Sequence, residues 1–155
     1  MFSSKKQDFE TPQWLFDRLD KIFHFNIDVC AGEGNAKVPY YFSELEDGLK
    51  QDWQLFDTCY CNPPYNNCKE WVKKAYEESL KGADIILLIP ARVDTKAWKD
   101  YIFKYATSVV FIYGRLKFSN HENSAPFPSC LVYFGKDFIE ILNSLSDIGK
   151  VIRLN

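Results

Sequence analysis

The sequence lacks several features that would place it in common protein classes. No apolar run approaches the roughly 18 residues of a membrane span, and the opening MFSSKKQDFE has no apolar signal stretch. The two histidines, His24 and His121, have no paired-ligand spacing, and Cys59, Cys61 and Cys68 follow no familiar zinc pattern. Five cysteines form no disulfide framework. These absences predict a cytoplasmic protein with buried thiols, no membrane partner and no metal.

A strong charge of one sign is also missing, because the formal net charge is only −2. The distribution is uneven: residues 1–58 carry 6 Lys/Arg against 11 Asp/Glu, whereas residues 91–118 carry 6 against 2. A local basic excess suits a phosphate-bearing partner, but it also suits an ordinary solvated surface. Charge alone therefore identifies no partner.

The length of 155 residues predicts a single domain over 1–155, with enough hydrophobic content (46%) for a sizeable core. Apolar spacing predicts helices over 12–23, with Thr11 as N-cap and Pro12 first, over 70–81, from Asp94 or Thr95 to Tyr105, and over 137–145. Strands are predicted over 25–30, 58–62, 84–90, 108–113, 129–134 and 151–154, with 40–42 a further candidate. This alternation predicts an α/β fold whose mostly parallel central sheet is flanked by helices.

Four loops follow predicted strands, at 31–35, 62–67, 90–95 and 114–128. Ligands of largely parallel sheets bind beyond the carboxyl ends of the strands. We therefore expect these loops to meet at one edge of the sheet, although they are far apart in sequence.

The most informative stretch is Asn62-Pro63-Pro64-Tyr65, which ends a predicted strand. The Asn62 side-chain oxygen and the Pro63 carbonyl each accept a hydrogen bond, so together they can hold both hydrogens of an exocyclic amine. Tyr65 offers a flat face for a planar ring, and the prolines stiffen the turn. The plainer alternative is a tight turn with a buried tyrosine.

At this tetrapeptide the sequence resembles the S-adenosylmethionine-dependent amino-methyltransferases, whose motif is (D/N/S)-P-P-(Y/F/W). It resembles more closely the small phage-type DNA N-6-adenine methyltransferases (Dam-like). Further matching stretches, in the same order along the chain, are ETPQWLFDRLD, DVCAGEGNAK, DGLKQDW, LLIPARVDT, GRLKF and APFPSCLVYF. The resemblance covers most of residues 8–135.

The resemblance implies a Rossmann-like class I methyltransferase fold, S-adenosylmethionine as methyl donor with S-adenosylhomocysteine as product, and DNA as partner. The motif residues Asn62, Pro63, Pro64 and Tyr65 are then catalytic. They hold the N6 amine of an adenine flipped out of its duplex, with Tyr65 as the replacement stacking surface. Direct displacement needs positioning and a matched pocket, and no nucleophilic residue.

Cofactor contacts are implied for Thr11, Pro12, Asp28, Cys30, Ala31, Asn35, Asp47 and Asp52. Asp28 is expected beside the amino group of the methionine portion, where a carboxylate makes a charge-assisted hydrogen bond. The choice between Asp47 and Asp52 for the ribose or adenine stays open. The usual FxGxG form is absent, because DVCAGEG has glycines only at 32 and 34.

Contacts to the DNA substrate are expected from loop residues near the same edge: Arg92, Asp94, Arg115, Lys117 and Phe127. Phosphate is the expected partner of the basic residues, and surface solubility or an internal ion pair is the alternative. No room remains for a separate target-recognition domain. The chain is therefore weakly specific, reads a short site through 31–50 and 114–128, or forms a homodimer.

Other targets and a non-enzymatic role compete with DNA adenine. Cytosine N4, RNA and a protein glutamine amide also suit an NPPY site, and a degenerate methyltransferase domain would serve as a binding module. The intact Asn62 and Asp28 weigh against the last of these. The family resemblance places the protein in a phage or prophage acting in a bacterial cytoplasm, with evasion of host restriction as a family-level role.

Overall fold

A 6-stranded sheet with helices on both faces forms the centre of the computed structural model, which describes residues 9–155. The strands are β1 (Ile27–Asp28), β2 (Thr58–Cys61), β3 (Asp84–Pro90), β4 (Ser108–Ile112), β5 (Ser129–Phe134) and β6 (Gly149–Arg153). The helices are α1 (Gln13–Phe23), α2 (Cys68–Leu80) and α3 (Phe103–Tyr105), which continues the π-helical Trp98–Ile102. Short 3₁₀ turns cover Gly48–Lys50, Trp53–Phe56, Tyr65–Asn67 and Ile141–Leu145. None of the helices in this described part is long and apolar enough to cross a membrane.

The strand order is β1-β2-β3-β5-β4-β6. Strands β1, β2 and β3 pair in parallel, whereas β5 is antiparallel to both of its neighbours and β6 is antiparallel to β4. The α/β Rossmann-like class is confirmed, but the sheet is mixed rather than mostly parallel. Strand direction could not be read from the sequence, because a strand buried on both faces is an apolar run in either direction.

Alternate residues of the central strands separate two cores. On one face, Ile85 and Leu87 of β3 join Trp71 of α2 and Trp98. On the other face lie Ile86 and Leu88 of β3, Tyr60 of β2, and the α1 residues Leu15, Phe16, Leu19 and Phe23. Both faces are therefore covered, as expected for a sheet whose middle strands read as continuous apolar runs.

Several predicted boundaries shift. The bounds of β3 and β5 match the prediction, whereas the strand predicted over 25–30 is reduced to Ile27–Asp28. Pro12, not Thr11, is the N-cap of α1, and it caps without a side-chain hydrogen bond. Only Ile141–Leu145 of the helix predicted over 137–145 is helical, as a 3₁₀ turn. Tyr41 forms an isolated bridge with Asp28 in place of a strand over 40–42.

The four loops expected at one edge do meet there. Strand β4 runs in the same direction as β1, β2 and β3, because it is antiparallel to β5, which is antiparallel to β3. The Ala91 N–H donates to the Pro128 carbonyl at 2.9 Å, joining the loop after β3 to the loop after β4. The ring centroids of Tyr65 and Phe127 lie 5.5 Å apart and join the loop after β2 to the same place.

Candidate functional site

A cavity of about 200 Å³ opens at this edge, beyond the ends of β1 and β2. It is lined by three stretches that are distant in sequence, namely the residues before α1, the loop after β1 and the loop after β2. The lining residues are Phe9, Glu10, Thr11, Asp28, Cys30, Ala31, Gly32, Asn35, Lys37, Glu44, Tyr60, Asn62, Pro63 and Pro64. The cavity thus brings five of the predicted cofactor residues together with the Asn-Pro-Pro turn, namely Thr11, Asp28, Cys30, Ala31 and Asn35.

Asp28 is the buried carboxylate of this cavity, with 3% of its surface exposed. Its oxygens accept hydrogen bonds from the backbone N–H groups of Cys30 at 3.3 Å and Lys37 at 3.2 Å. These bonds fix the carboxylate but do not neutralise it. Burial therefore outweighs them and raises the pKa of Asp28 to about 7. A carboxylate held this way is suited to a cationic ligand group, whose arrival would restore its charged form.

Asn62 is held by bonds to both ends of its side-chain amide. Its Nδ2 donates to the Phe9 carbonyl at 2.5 Å and to the Thr11 hydroxyl at 3.3 Å. Its Oδ1 accepts a hydrogen bond from the Tyr65 hydroxyl at 3.0 Å. These partners determine which amide end faces which neighbour, because Nδ2 has only acceptors around it and Oδ1 has a donor. The Asn62 oxygen, which has two lone pairs, can accept a second donor.

Tyr60 is a site residue that the sequence did not reveal. It is buried at the end of β2, and its hydroxyl shares a hydrogen bond with the Thr11 hydroxyl. Thr11 therefore connects Tyr60 to the amide of Asn62. The signal in the sequence was weak: a polar-tipped aromatic between two cysteines in CYC.

Tyr65 lies in a cluster of aromatic rings rather than facing open solvent. Its ring is parallel to that of Phe9, with centroids 5.3 Å apart, and edge-on to Phe118 and Phe127. Burial raises the pKa of the Tyr65 hydroxyl well above its ordinary value, so the hydroxyl remains a donor to Asn62. Phe127 was predicted from the sequence, whereas Phe9 and Phe118 were not.

Three predicted cofactor residues are not in the cavity lining. Pro12 is buried at the start of α1. Asp47 accepts a hydrogen bond from the Leu49 N–H and so caps the turn Gly48–Lys50. Asp52 is exposed at the N-cap position of the next turn. Both cofactor roles followed from residue type and stay predictions, and Asp52 makes no side-chain capping bond.

Two other acidic residues, Glu10 and Glu44, do line the cavity. Glu44 lies in the loop between the Tyr41 bridge and the turn Gly48–Lys50, and Glu10 precedes α1. They are further acidic candidates, beside Asp47 and Asp52, for contact with a ribose or an adenine. Asn35 also lines the cavity, and its side-chain oxygen accepts the Gly32 N–H at 2.7 Å, which stabilises the loop after β1.

A second cavity lies on the other side of Tyr65 and is bordered by cationic side chains. Tyr65 and Trp98 line it together with Lys69, Arg92 and Lys96. The Arg92 guanidinium lies 5.6 Å from the centre of the Phe127 ring, a cation–π distance. Lys69 is 3.7 Å from Asp100 in a half-exposed ion pair, which contributes little stability. Positive charge therefore accumulates beside the Asn-Pro-Pro-Tyr turn.

The remaining predicted substrate residues are more peripheral. Arg115 and Lys117 are exposed in the loop that follows β4, at the same edge of the sheet. Asp94 is exposed in the turn after β3, and neither of the two cavities includes it. The structure thus brings Arg92 and Phe127 together and leaves Asp94, Arg115 and Lys117 on the surrounding surface.

The cysteines belong to the core of the protein. Cys59, Cys61 and Cys130 are buried, while Cys30 and Cys68 are half-buried, and none of the five forms a disulfide. Burial raises the pKa of Cys61 and Cys130 well above the ordinary value, which keeps both as inert thiols. Within residues 9–155, no group of three or more His, Cys, Asp or Glu side chains is arranged to hold a metal ion.

Comparison with known proteins adds a family to this geometry. A family model described as DNA N-6-adenine-methyltransferase (Dam) matches residues 2–150. The chain is 33% identical over 127 residues to a DNA N-6-adenine-methyltransferase of Haemophilus phage HP1 (strain HP1c1), covering 77% of this chain and 72% of that protein. It is 30% identical over 103 residues to a DNA N-6-adenine-methyltransferase of Escherichia phage T1, covering 66% of this chain and 43% of that protein.

Proposed function

The chain belongs to the DNA N-6-adenine-methyltransferase (Dam) family, and from this we propose that it transfers a methyl group to the exocyclic N6 amine of adenine in DNA. The observation that carries this proposal is the fixed amide of Asn62 at the mouth of a cavity with a buried carboxylate. An amino-methyltransferase needs a hydrogen-bond acceptor for the target amine and a carboxylate for the positively charged methyl donor, and both lie on this one cavity.

The residues around the first cavity fit S-adenosylmethionine. This molecule would supply a methyl group activated by a positively charged sulfur. Asp28 would accept hydrogen bonds from the ammonium of its methionine portion, since a buried carboxylate with a raised pKa gains most from a cation. The loop after β1 would surround the same portion through Cys30, Ala31, Gly32 and Asn35. The ribose hydroxyls would be bound by Glu10 or Glu44.

The target amine would be held by Asn62 and Pro63. The Asn62 oxygen accepts one amine hydrogen and the Pro63 carbonyl accepts the other, which draws the nitrogen lone pair out of conjugation with the ring. Thr11 and Tyr60 keep the Asn62 amide in this orientation through their shared hydrogen bond. The rate gain then comes from position and from a matched polar environment, so no side chain has to form a covalent bond.

The second cavity gives a path for the DNA strand. Arg92 and Lys96 would contact phosphates that flank the flipped nucleotide, because their cavity adjoins Tyr65. Arg115 and Lys117 would extend this basic surface along the loop after β4. We further propose that residues 1–155 act as one domain in the cytoplasm of a bacterial host. Loops 31–50 and 114–128 would read the DNA, and a homodimer is an alternative arrangement.

The product identifies the reaction. Purified protein is incubated with methyl-labelled S-adenosylmethionine and, separately, with unmethylated bacterial DNA, RNA and casein, and the modified nucleoside or residue is identified by mass spectrometry. We expect label in the DNA as N6-methyladenine. Label found instead in N4-methylcytosine, in RNA or in glutamine would show that the target is not adenine in DNA. If calorimetry detects no binding of S-adenosylmethionine, the protein would be a binding module and not a methyltransferase.

A further inference from the structure

The ring of Phe9 lies where a planar group would meet the face of Tyr65. It is parallel to two rings, Tyr65 at 5.3 Å and 10° and His121 at 4.7 Å and 8°. It is edge-on to two others, Phe118 at 5.1 Å and 64° and Phe127 at 5.1 Å and 84°. Four aromatic side chains from the loops after β2 and β4 therefore form a recess that Phe9 fills.

The backbone next to Phe9 is tied to the loop after β4. The Glu10 N–H donates to the Asn120 side-chain oxygen at 2.9 Å, and the Ser119 N–H donates to the Glu10 carbonyl at 3.0 Å. The Ser119 hydroxyl also donates to the Thr11 carbonyl at 3.2 Å. Because these bonds hold residues 10 and 11, the part of this segment that is free to leave the recess is the Phe9 ring.

We propose that Phe9 holds the place of the target adenine and that His121 is the second parallel surface of the base-binding recess. The inference rests on the proposed function, because it takes the Asn62 oxygen as the acceptor of the adenine amine. The Phe9 carbonyl binds the amide nitrogen of Asn62, and the Asn62 oxygen is bonded to the Tyr65 hydroxyl, so this acceptor adjoins the ring that forms one wall of the recess. A flipped base and the Phe9 ring compete for one face of Tyr65.

This competition selects among bases. A base entering the recess has to replace the contacts that Phe9 makes with its four aromatic neighbours. A purine offers more stacking area than a pyrimidine, and adenine adds an amine that reaches Asn62. Phe9 therefore weakens the binding of every base, and adenine displaces its ring more readily than cytosine or thymine does.

A fluorescence titration with 2-aminopurine deoxyriboside tests the recess directly, because stacking on aromatic rings quenches this purine. The titration is run on wild type, on Phe9→Ala, on the double variant Phe9→Ala with His121→Ala, and on Phe103→Ala, a half-exposed aromatic whose ring packs on Trp98 and not in the recess. We expect Phe9→Ala to bind the nucleoside about tenfold more tightly than wild type, the double variant to lose this gain, and Phe103→Ala to match wild type.

A second variant keeps the test decisive if Phe9→Ala fails to fold, as judged by thermal melting. Phe9→Trp fills the recess with a larger ring and should weaken nucleoside binding. The inference is overturned if either Phe9 variant binds the nucleoside with wild-type affinity. It is also overturned if the double variant binds as tightly as Phe9→Ala does, because His121 would then contribute nothing. Failure of the proposed function appears separately, as absence of N6-methyladenine in the product assay of the wild-type protein, whatever the titration gives.

Discussion

Asp28 is buried, its carboxylate is held by hydrogen bonds, and it lines the first cavity. Its pKa of about 7 is far above that of a free carboxyl because burial outweighs the two backbone N–H bonds and the charge of Lys37, all of which lower the pKa. A group with this pKa is half-protonated at neutral pH. Binding of a cationic ligand group therefore has to be coupled to loss of a proton.

This coupling predicts a pH-dependent cofactor affinity. Below about pH 7 an ammonium has to displace a proton from Asp28. The dissociation constant should therefore rise about tenfold for each unit by which the pH falls below about 7, and it should be constant at higher pH. S-adenosylhomocysteine, which carries the same amino-acid portion, is titrated by calorimetry across this range. Asp28→Asn should bind weakly and without this dependence.

Asp137→Asn provides the matched control, since Asp137 is exposed near the opposite end of β5. It should follow the wild-type pH profile. A flat profile for the wild-type protein would mean that Asp28 does not meet the ammonium, whatever its pKa in the free protein.

At the scale of elements, the loop after β3 and the start of the following helical segment carry Arg92 and Lys96 to the second cavity. If they contact phosphates, Arg92→Gln with Lys96→Gln should weaken DNA binding and reduce the slope of log affinity against log salt by about 2, one contact for each residue. Fluorescence anisotropy with a labelled duplex at several salt concentrations measures both quantities.

The control for this prediction is Lys104→Gln, an exposed lysine at the far end of the same helical segment. It removes charge on the same element, so a general electrostatic effect would change its slope as well. Equal slopes for the double variant and the control would refute a specific phosphate site at the second cavity.

Elements also show where the sequence was sufficient. Strands β3 and β5 were predicted to the residue, because long apolar runs bounded by turn residues leave little freedom. Strand β5 enters antiparallel between β3 and β4, which no local pattern encodes. The helix predicted from 94 or 95 contains a π-helical stretch at Trp98–Ile102, which apolar spacing does not distinguish from an ordinary α-helix.

The same distinction holds within the site. Asn62, Pro63 and Asp28 could be predicted because a motif and a strand end place them at the edge where ligands bind. The contact between Phe9 and His121 could not, because it joins segments more than a hundred residues apart. The cofactor roles of Asp47 and Asp52 stay predictions: neither residue lines the first cavity, and residue type does not reveal where a turn directs a side chain.

At the scale of the whole molecule, the fold brings two unlike cavities to either side of one turn. Asp28 and the loop after β1 border one cavity, and cationic side chains border the other. The Asn-Pro-Pro-Tyr turn separates them, with Asn62 facing the first and Tyr65 lining the second. Under the proposed function, a methyl donor in the first cavity and a DNA strand at the second would approach one amine from opposite sides.

The central claim is that Asn62 holds the target amine, and single-turnover methylation of DNA by Asn62→Ala tests it most directly. The control is Asn67→Ala, an asparagine at the start of α2 whose side chain makes no capping bond. We predict that Asn62→Ala slows methyl transfer at least about a hundredfold while the S-adenosylhomocysteine dissociation constant stays within about threefold of wild type, and that Asn67→Ala is unaffected. Near-wild-type methyl transfer by Asn62→Ala would contradict the claim.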